Sequence, residues 1–266
     1  MKVRRIERVL LYDEGAAEEL NIEEVAEYLR EKLGKAQVTV RGNPFASWLE
    51  KTPYYARKLA SIKIQDVGRK IAPEQEPLYG EVSYEERRIL GKTKSFGVLY
   101  DGFQLQMVFS ELIAPEERSL GVVCIFFTNR LFATWEENNK RYHARTSVYG
   151  IPSVISTTGL IEAPAKPREY YLLKQQYEML GKDLLELKER LKASFIDYGD
   201  ERLTEVIKGY AMQAVFYHLA GGPFCEDKGC RLYNAHWQEE LIFAQLESGY
   251  EFCERHTRIL NNLHRK

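Results

Sequence analysis

Apolar residues first gather at Val9-Leu10-Leu11-Tyr12, a short run closed by Asp13-Glu14-Gly15, and this predicts a strand. A helix follows from Asn21, a good N-cap with Glu24 at the reciprocal capping-box position. Its apolar residues Ile22, Val25, Ala26, Leu29 and Leu33 recur at helical spacing, and Gly34 sits where a C-terminal glycine belongs. Val38-Thr39-Val40 predicts a second strand, giving a βαβ-like opening that lacks GxGxxG and so lacks the dinucleotide fingerprint. Residues 50–95 are charged and lean to helix, with a loop at Pro73-Glu74-Gln75-Glu76-Pro77. Ser95 to Tyr100 and Phe103 to Phe109 flank Asp101-Gly102, which predicts a hairpin with a two-residue turn.

The most apolar run, Gly121 to Thr128, predicts a central strand buried on both faces, with Cys124 inside it as a small core hydrophobe. Val148 to Ser156 is a further strand, and Pro152 within it marks an edge or a bulge. After Pro164 and Pro167 the pattern turns helical. Leu173, Tyr177, Leu180, Leu184, Leu187 and Leu191 step by four and three, a heptad seam in which Gly181 is a weak point. Packing of this helix on the sheet is preferred to pairing with a second chain, because three heptads make a short coiled coil. A last long helix runs from about Asp200 through Tyr210, Ala214 and His218 to Gly221-Gly222-Pro223, which end it.

The 266 residues suffice for a sizeable core, and 44% apolar with 29% charged residues describes a folded, globular chain. Thirty-eight basic against 39 acidic residues give no broad positive field, which argues against non-specific nucleic-acid binding. The basic start Met1-Lys2-Val3-Arg4-Arg5-Ile6 lacks a following apolar stretch, and no run is apolar enough to span a bilayer. A cytoplasmic protein without membrane association is therefore expected, one that keeps its four cysteines reduced.

Three of those cysteines and a histidine form C-x4-C-x22-C-x2-H: Cys225, Cys230, Cys253 and His256. Cys225 to Cys230 is short enough to bring two thiols to one ion, with Gly229 easing the turn. Cys253 and His256 stand one helical turn apart and supply the other pair. Soft donors in this number predict one structural zinc ion per chain, a closed site with no open position for water or substrate. The plain alternative is unconnected buried cysteines; the histidine disfavours an iron–sulfur cluster.

His218-Leu219-Ala220-Gly221-Gly222-Pro223-Phe224-Cys225, followed by Cys230-Arg231-Leu232, resembles the archaemetzincins, zinc peptidases with HExxHxxGxxHC, then x4, CxM and CxxC. Leu232 stands in the methionine's place, and Cys253-x-x-His256 in that of CxxC. The chain is also similar to an archaeal family of unknown function, described as metallopeptidases, with the same cysteine-rich ending. The resemblance implies a single metzincin-like α/β domain over 1–266: a mixed sheet flanked by helices, with a sheet-rich region over about 1–160. A helical region over about 167–266 would be clipped by the zinc.

The departures concern the chemistry. Carried across, the first zinc histidine becomes Ala214, the general-base glutamate Val215 and the third histidine Phe224, leaving His218 alone. The resemblance thus implies fold and structural zinc, with a peptide or protein bound in the inherited cleft and no hydrolysis. The alternative is an active metallohydrolase with a site around His218, His236 and Glu239. Tyr210, Tyr217 and Asp200 are candidates to line the same cleft. A further polar stretch, Arg130, Tyr142, His143 and Arg145, follows the central strand where α/β folds place binding residues. A third reading makes the zinc module a docking element, but its spacing is not that of a C2H2 finger and its surroundings are acidic at Glu226-Asp227 and Glu239-Glu240.

Overall fold

The computed structural model describes residues 4–72, 76–92 and 97–265, with side chains as far as Leu263. In chain order the strands and α-helices are β1 (Arg8–Glu14), α1 (Ile22–Leu33), β2 (Gln37–Arg41), α2 (Thr52–Ser61), α3 (Tyr79–Ile89), β3 (Leu99–Asp101) and α4 (Gly102–Glu111). Then come β4 (Val122–Thr128), β5 (Leu131–Glu136), β6 (Arg141–Arg145), β7 (Ser147–Val148), β8 (Ser153–Ser156) and α5 (Thr157–Glu162). The remainder is helical: α6 (Arg168–Met179), α7 (Leu184–Arg190), α8 (Leu203–Ala220), α9 (Gln238–Ile242) and α10 (Glu254–Arg265).

The larger sheet is mixed, in the order β2-β1-β4-β8-β7; β2, β1, β4 and β8 are parallel and β7 returns antiparallel at the edge. A smaller sheet has the order β3-β5-β6. Alternate side chains of β1 and β4 feed two cores. Val9, Leu11, Val123, Ile125 and Phe127 meet α1 and α8 on one face. Leu10, Tyr12, Val122, Cys124 and Phe126 meet α2 and α4 on the other, where Phe126 stacks between Tyr12 and Phe109 at 4.5 and 4.9 Å. Every residue of β4 is buried, as its unbroken apolar run requires of a strand covered on both faces. The first of these cores also takes in Leu232, Leu241, Phe252, Ile259 and Leu260, so the C-terminal segment packs on the same face as α1. Among the described residues no helix is long and apolar enough to cross a membrane.

Local signals explain where expectation and structure agree. Asn21 Oδ1 accepts from the Glu24 N–H, and Gly34, at φ +61°, closes α1. Pro152 interrupts the Val148–Ser156 segment as expected: a cis Ile151–Pro152 bond lies in the turn between β7, the edge strand, and β8.

Two expectations fail. Phe103 to Phe109 forms no hairpin arm. The Asp101 carboxylate accepts from the Phe103 and Gln104 N–H groups, both at 3.0 Å, and so caps α4. Leu105, Val108, Phe109 and Leu112 then bury at helical spacing. Gly102 serves close packing, because a Cβ there would lie 3.0 Å from the Phe132 ring. The heptad seam is likewise not one helix on the sheet. Gly181, at φ +64°, ends the first stretch, and α6 and α7 fold against each other around Tyr170, Leu187, Leu191 and Phe195, leaving Leu180 exposed. Residues 73–75 of the expected loop and 95–96 of the expected strand lie outside the described residues.

Candidate metal centre and adjoining cavity

Helix α8 ends at Gly221 in the left-handed conformation, and the chain turns directly into the cysteine loop. The Cys225 N–H donates to the Leu232 carbonyl (2.8 Å) and the Cys230 N–H to the Asp227 carbonyl (3.1 Å), which draws the loop into a knuckle. Asp227 accepts from the Gly229 N–H (2.9 Å) and from the Tyr250 hydroxyl (2.7 Å). Gly229 is required by this contact: a Cβ there would stand 2.7 Å from the Tyr250 oxygen. Cys253 immediately precedes α10 and His256 lies in its first turn, where the His256 N–H donates to the Cys253 carbonyl (3.0 Å).

These four side chains converge, with all four candidate ligand atoms within 4.8 Å of one another. Cys225 Sγ and Cys253 Sγ are 3.9 Å apart, and His256 Nδ1 lies 3.1 Å from Cys253 Sγ and 3.5 Å from Cys230 Sγ. A tetrahedral zinc with bonds of about 2.3 Å to sulfur and about 2.0 Å to nitrogen implies edges of about 3.8 and 3.5 Å. The donor set therefore fits such an ion. The Asp227 N–H, 3.4 Å from Cys225 Sγ, supplies a supporting hydrogen bond of the kind that orients metal thiolates. Burial pushes the Cys225 and Cys230 thiols up and the His256 imidazole down, so without a cation these three groups favour their neutral forms.

The knuckle is anchored on two helices. Arg231 pairs with Glu205 of α8 and with Glu251 at 3.7 Å, while its guanidinium lies over the Tyr28 ring of α1. Gln245 Nε2 donates to the Arg231 carbonyl (2.9 Å), and its side chain occupies the space that any Cβ at Gly209 would need. The Phe216 ring of α8 meets the His256 ring edge to face at 5.0 Å.

A cavity of about 380 Å³ lies beside α8, between the metal knuckle and the edge strand β7. Tyr210, Gln213 and Tyr217 of α8 form one wall; Tyr149 and Arg145 stand across from them. Phe224 and Tyr233, which immediately flank the Cys225–Leu232 loop, complete it with His236. The Tyr149 hydroxyl donates to Gln213 Oε1 (2.5 Å), and its ring meets Phe224 edge to face at 5.8 Å. Gln213 Nε2 in turn donates to the Tyr233 carbonyl (3.1 Å).

The residues proposed for catalysis do not assemble. His236 is exposed on the cavity rim, its backbone N–H donating to Glu240 Oε2 (3.1 Å), and Glu239 is exposed as well. His218 is 2% exposed and lies against the Gly150 carbonyl at 3.2 Å through Nε2; a carbonyl only accepts, so this nitrogen carries the proton. Burial pushes its imidazole down, which keeps the ring neutral. Among the described residues the only set of three or more potential ligand groups that come together is the Cys3His cluster. Ala214 and Val215 are fully buried in the core, and Phe224 packs on Tyr149, so the positions carried over from HExxHxxGxxH do not fit a catalytic metal.

The other sequence candidates divide. Tyr210, Tyr217 and Arg145 line the cavity, whereas Asp200 is buried in an ion pair with Arg202 (2.7 Å). Tyr142 donates to Asp101 (3.0 Å), and His143 lies 3.0 Å from Glu136. Arg130 is no surface ligand: it is fully buried, paired with Glu14 (3.0 Å) and Glu85 (2.7 Å), and Lys63 and the Tyr100 hydroxyl complete the network around Glu85. Tyr149, Phe103 and Tyr233 escaped sequence reasoning because nothing local distinguishes a cavity tyrosine or phenylalanine from a core one. The side chain of His264 lies outside the described residues.

Among solved structures, the chain is similar to archaemetzincin (amzA) from Methanopyrus kandleri, with 13% sequence identity and a TM-score of 0.47 over 98% of this chain and 97% of that one. No curated protein matches it. Residues 5–263 match a family described as "Probable metallopeptidase family (DUF6775)", and on that near-complete span the chain belongs to this family.

Proposed function

We propose that this chain is a non-hydrolytic member of its family, which binds an extended peptide or protein segment in the cavity beside α8. One zinc ion on Cys225, Cys230, Cys253 and His256 acts in this reading as a structural clip. The observation that carries it is the apolar filling of α8 at Ala214 and Val215, with Phe224 beyond. Hydrolysis by such a site needs a metal to polarise the carbonyl and acidify water, and a carboxylate to take the proton. An alanine, a valine and a phenylalanine supply neither.

The cavity remains, and it is lined by Ser147 and Val148 of β7, an edge strand of the larger sheet; sheet edges are where an extended chain adds by backbone hydrogen bonds. Cys225, Cys230, Cys253 and His256 would hold the zinc, which would cross-link the knuckle to the start of α10. Its role in binding is indirect, since Phe224 and Tyr233 of the cavity wall are the immediate neighbours of the clipped loop. Three free thiols within reach of one ion suit a reducing compartment, and we place the protein in the cytoplasm on that ground.

The test is to incubate metal-loaded protein with denatured protein and with peptide pools. Retention of peptides without cleavage is expected. Chelator-sensitive turnover accompanied by a second bound metal would overturn the reading.

A further inference from the structure

Arg145 is the only side chain of fixed charge among the described residues that line the cavity; no aspartate or glutamate joins it there. Its Nε donates to Thr134 Oγ1 (2.9 Å), which fixes the plane of the guanidinium. Among the described residues the group has no carboxylate partner. Its backbone is equally constrained. The Arg145 carbonyl lies so close to Gly159 that a Cβ there would approach it to 2.4 Å, and the Ser156 N–H donates to the next carbonyl, Thr146 (2.8 Å). The arginine stands at the end of β6, two residues before the edge strand β7, so a chain laid along β7 runs toward it or away from it.

The rest of the wall adds aromatic surface and no negative charge. Burial pushes the Tyr149 hydroxyl up, and that of Tyr210 up to about 12, so both stay neutral. A lone, oriented guanidinium in an aromatic cavity is built to receive a planar anion, and Arg matches a carboxylate with two parallel N–H···O bonds. The volume of about 380 Å³ falls at the small end of ligand sites, so only a short segment enters.

We propose that Arg145 captures a carboxylate of the bound peptide, either its chain terminus or an acidic side chain, with aromatic or apolar residues beside it. This rests on the peptide-binding reading above and specifies the ligand that the site accepts.

The test uses metal-loaded, full-length protein and two pools of random N-acetylated tetrapeptides, one of free acids and one of C-terminal amides, with retained peptides identified by mass spectrometry. Free acids ending in aromatic or apolar residues are expected to be retained about 10- to 100-fold better than their amides. If the anion comes from a side chain, the amides retained will be those that contain Asp or Glu. Arg145→Met should erase the preference for acids, so that free acids and their amides are retained alike. Arg145→Lys, which keeps the charge but not the fork, should retain part of it. Equal retention of acids and amides, with no enrichment of acidic residues, would overturn the role of Arg145 and leave peptide binding standing. Retention of nothing from either pool would overturn both.

Discussion

Two polar clusters differ in what completes them: the buried network around Arg130, and the Cys3His cluster, in which Cys230 and His256 are buried and Cys225 and Cys253 half-buried. Around Arg130 the charges answer one another: Glu14 and Glu85 face the guanidinium, Lys63 pairs with Glu85 at 2.9 Å, and the Thr128 hydroxyl donates to Glu14. The Cys3His cluster has four donors aimed at a common centre, all within 4.8 Å of one another. The first is finished by the protein; the second calls for a cation. Burial alone therefore does not mark a candidate functional site, whereas a convergent set of soft metal-type donors does.

Removing the centre should have the largest effect. Structural zinc contributes about 10–16 kcal/mol of apparent binding free energy in small zinc domains. Cys230→Ala is expected to abolish metal binding and loosen the segment from the knuckle through α10, read as loss of hydrogen-exchange protection there and a lowered melting temperature. A strong chelator should reproduce this in the wild type. Retained protection in the variant would make the cluster an ordinary patch of core.

The Arg130 network should respond to substitution but not to chelation. Arg130→Met leaves Glu14 and Glu85 buried without their shared partner, at a cost of about 3–5 kcal/mol in unfolding free energy. A change below about 1 kcal/mol would show that these charges are better solvated than their burial implies.

Acid separates the two clusters by a smaller effect. Burial pushes the Glu85 carboxyl up, but Arg130 and Lys63 outweigh it and hold it below the usual carboxylate range. A carboxyl depressed in the folded state contributes stability that is complete above its unfolded pKa of about 4.3 and lost as pH falls through the folded value. The thiols of Cys225 and Cys230 are raised, so zinc must displace their protons, and its affinity falls about tenfold per pH unit for each proton displaced. Zinc release is thus expected at a higher pH than loss of the sheet's own cooperativity, with metal followed by a chromogenic chelator and folding by circular dichroism. Simultaneous loss would contradict the distinction.

What the sequence disclosed follows the range of the interactions involved. Helix α1 was legible from Asn21 to Gly34 because caps and periodicity are local, and β4 was legible because a strand covered on both faces needs a continuous apolar run. Asp101-Gly102 carried two meanings, a hairpin turn and a helix cap, and the apolar spacing from Leu105 to Leu112 decided it. Gly181 broke a seam whose periodicity continued past it, so period alone overstated the helix. The Cys3His spacing was legible, as thiols so disposed have few other uses. The Arg130 network was not, since its partners stand 116 and 45 residues away in sequence. The cavity was only half visible: Tyr210, Tyr217, Arg145 and His236 could be suspected, but the strand that brings Tyr149 to Gln213 could not.

Metal stoichiometry tests the central claim most directly, by elemental analysis of folded wild-type protein alongside Cys253→Ser. The account predicts one zinc per wild-type chain and a marked loss in the variant. Two metals per chain, or one that survives in Cys253→Ser, would contradict it.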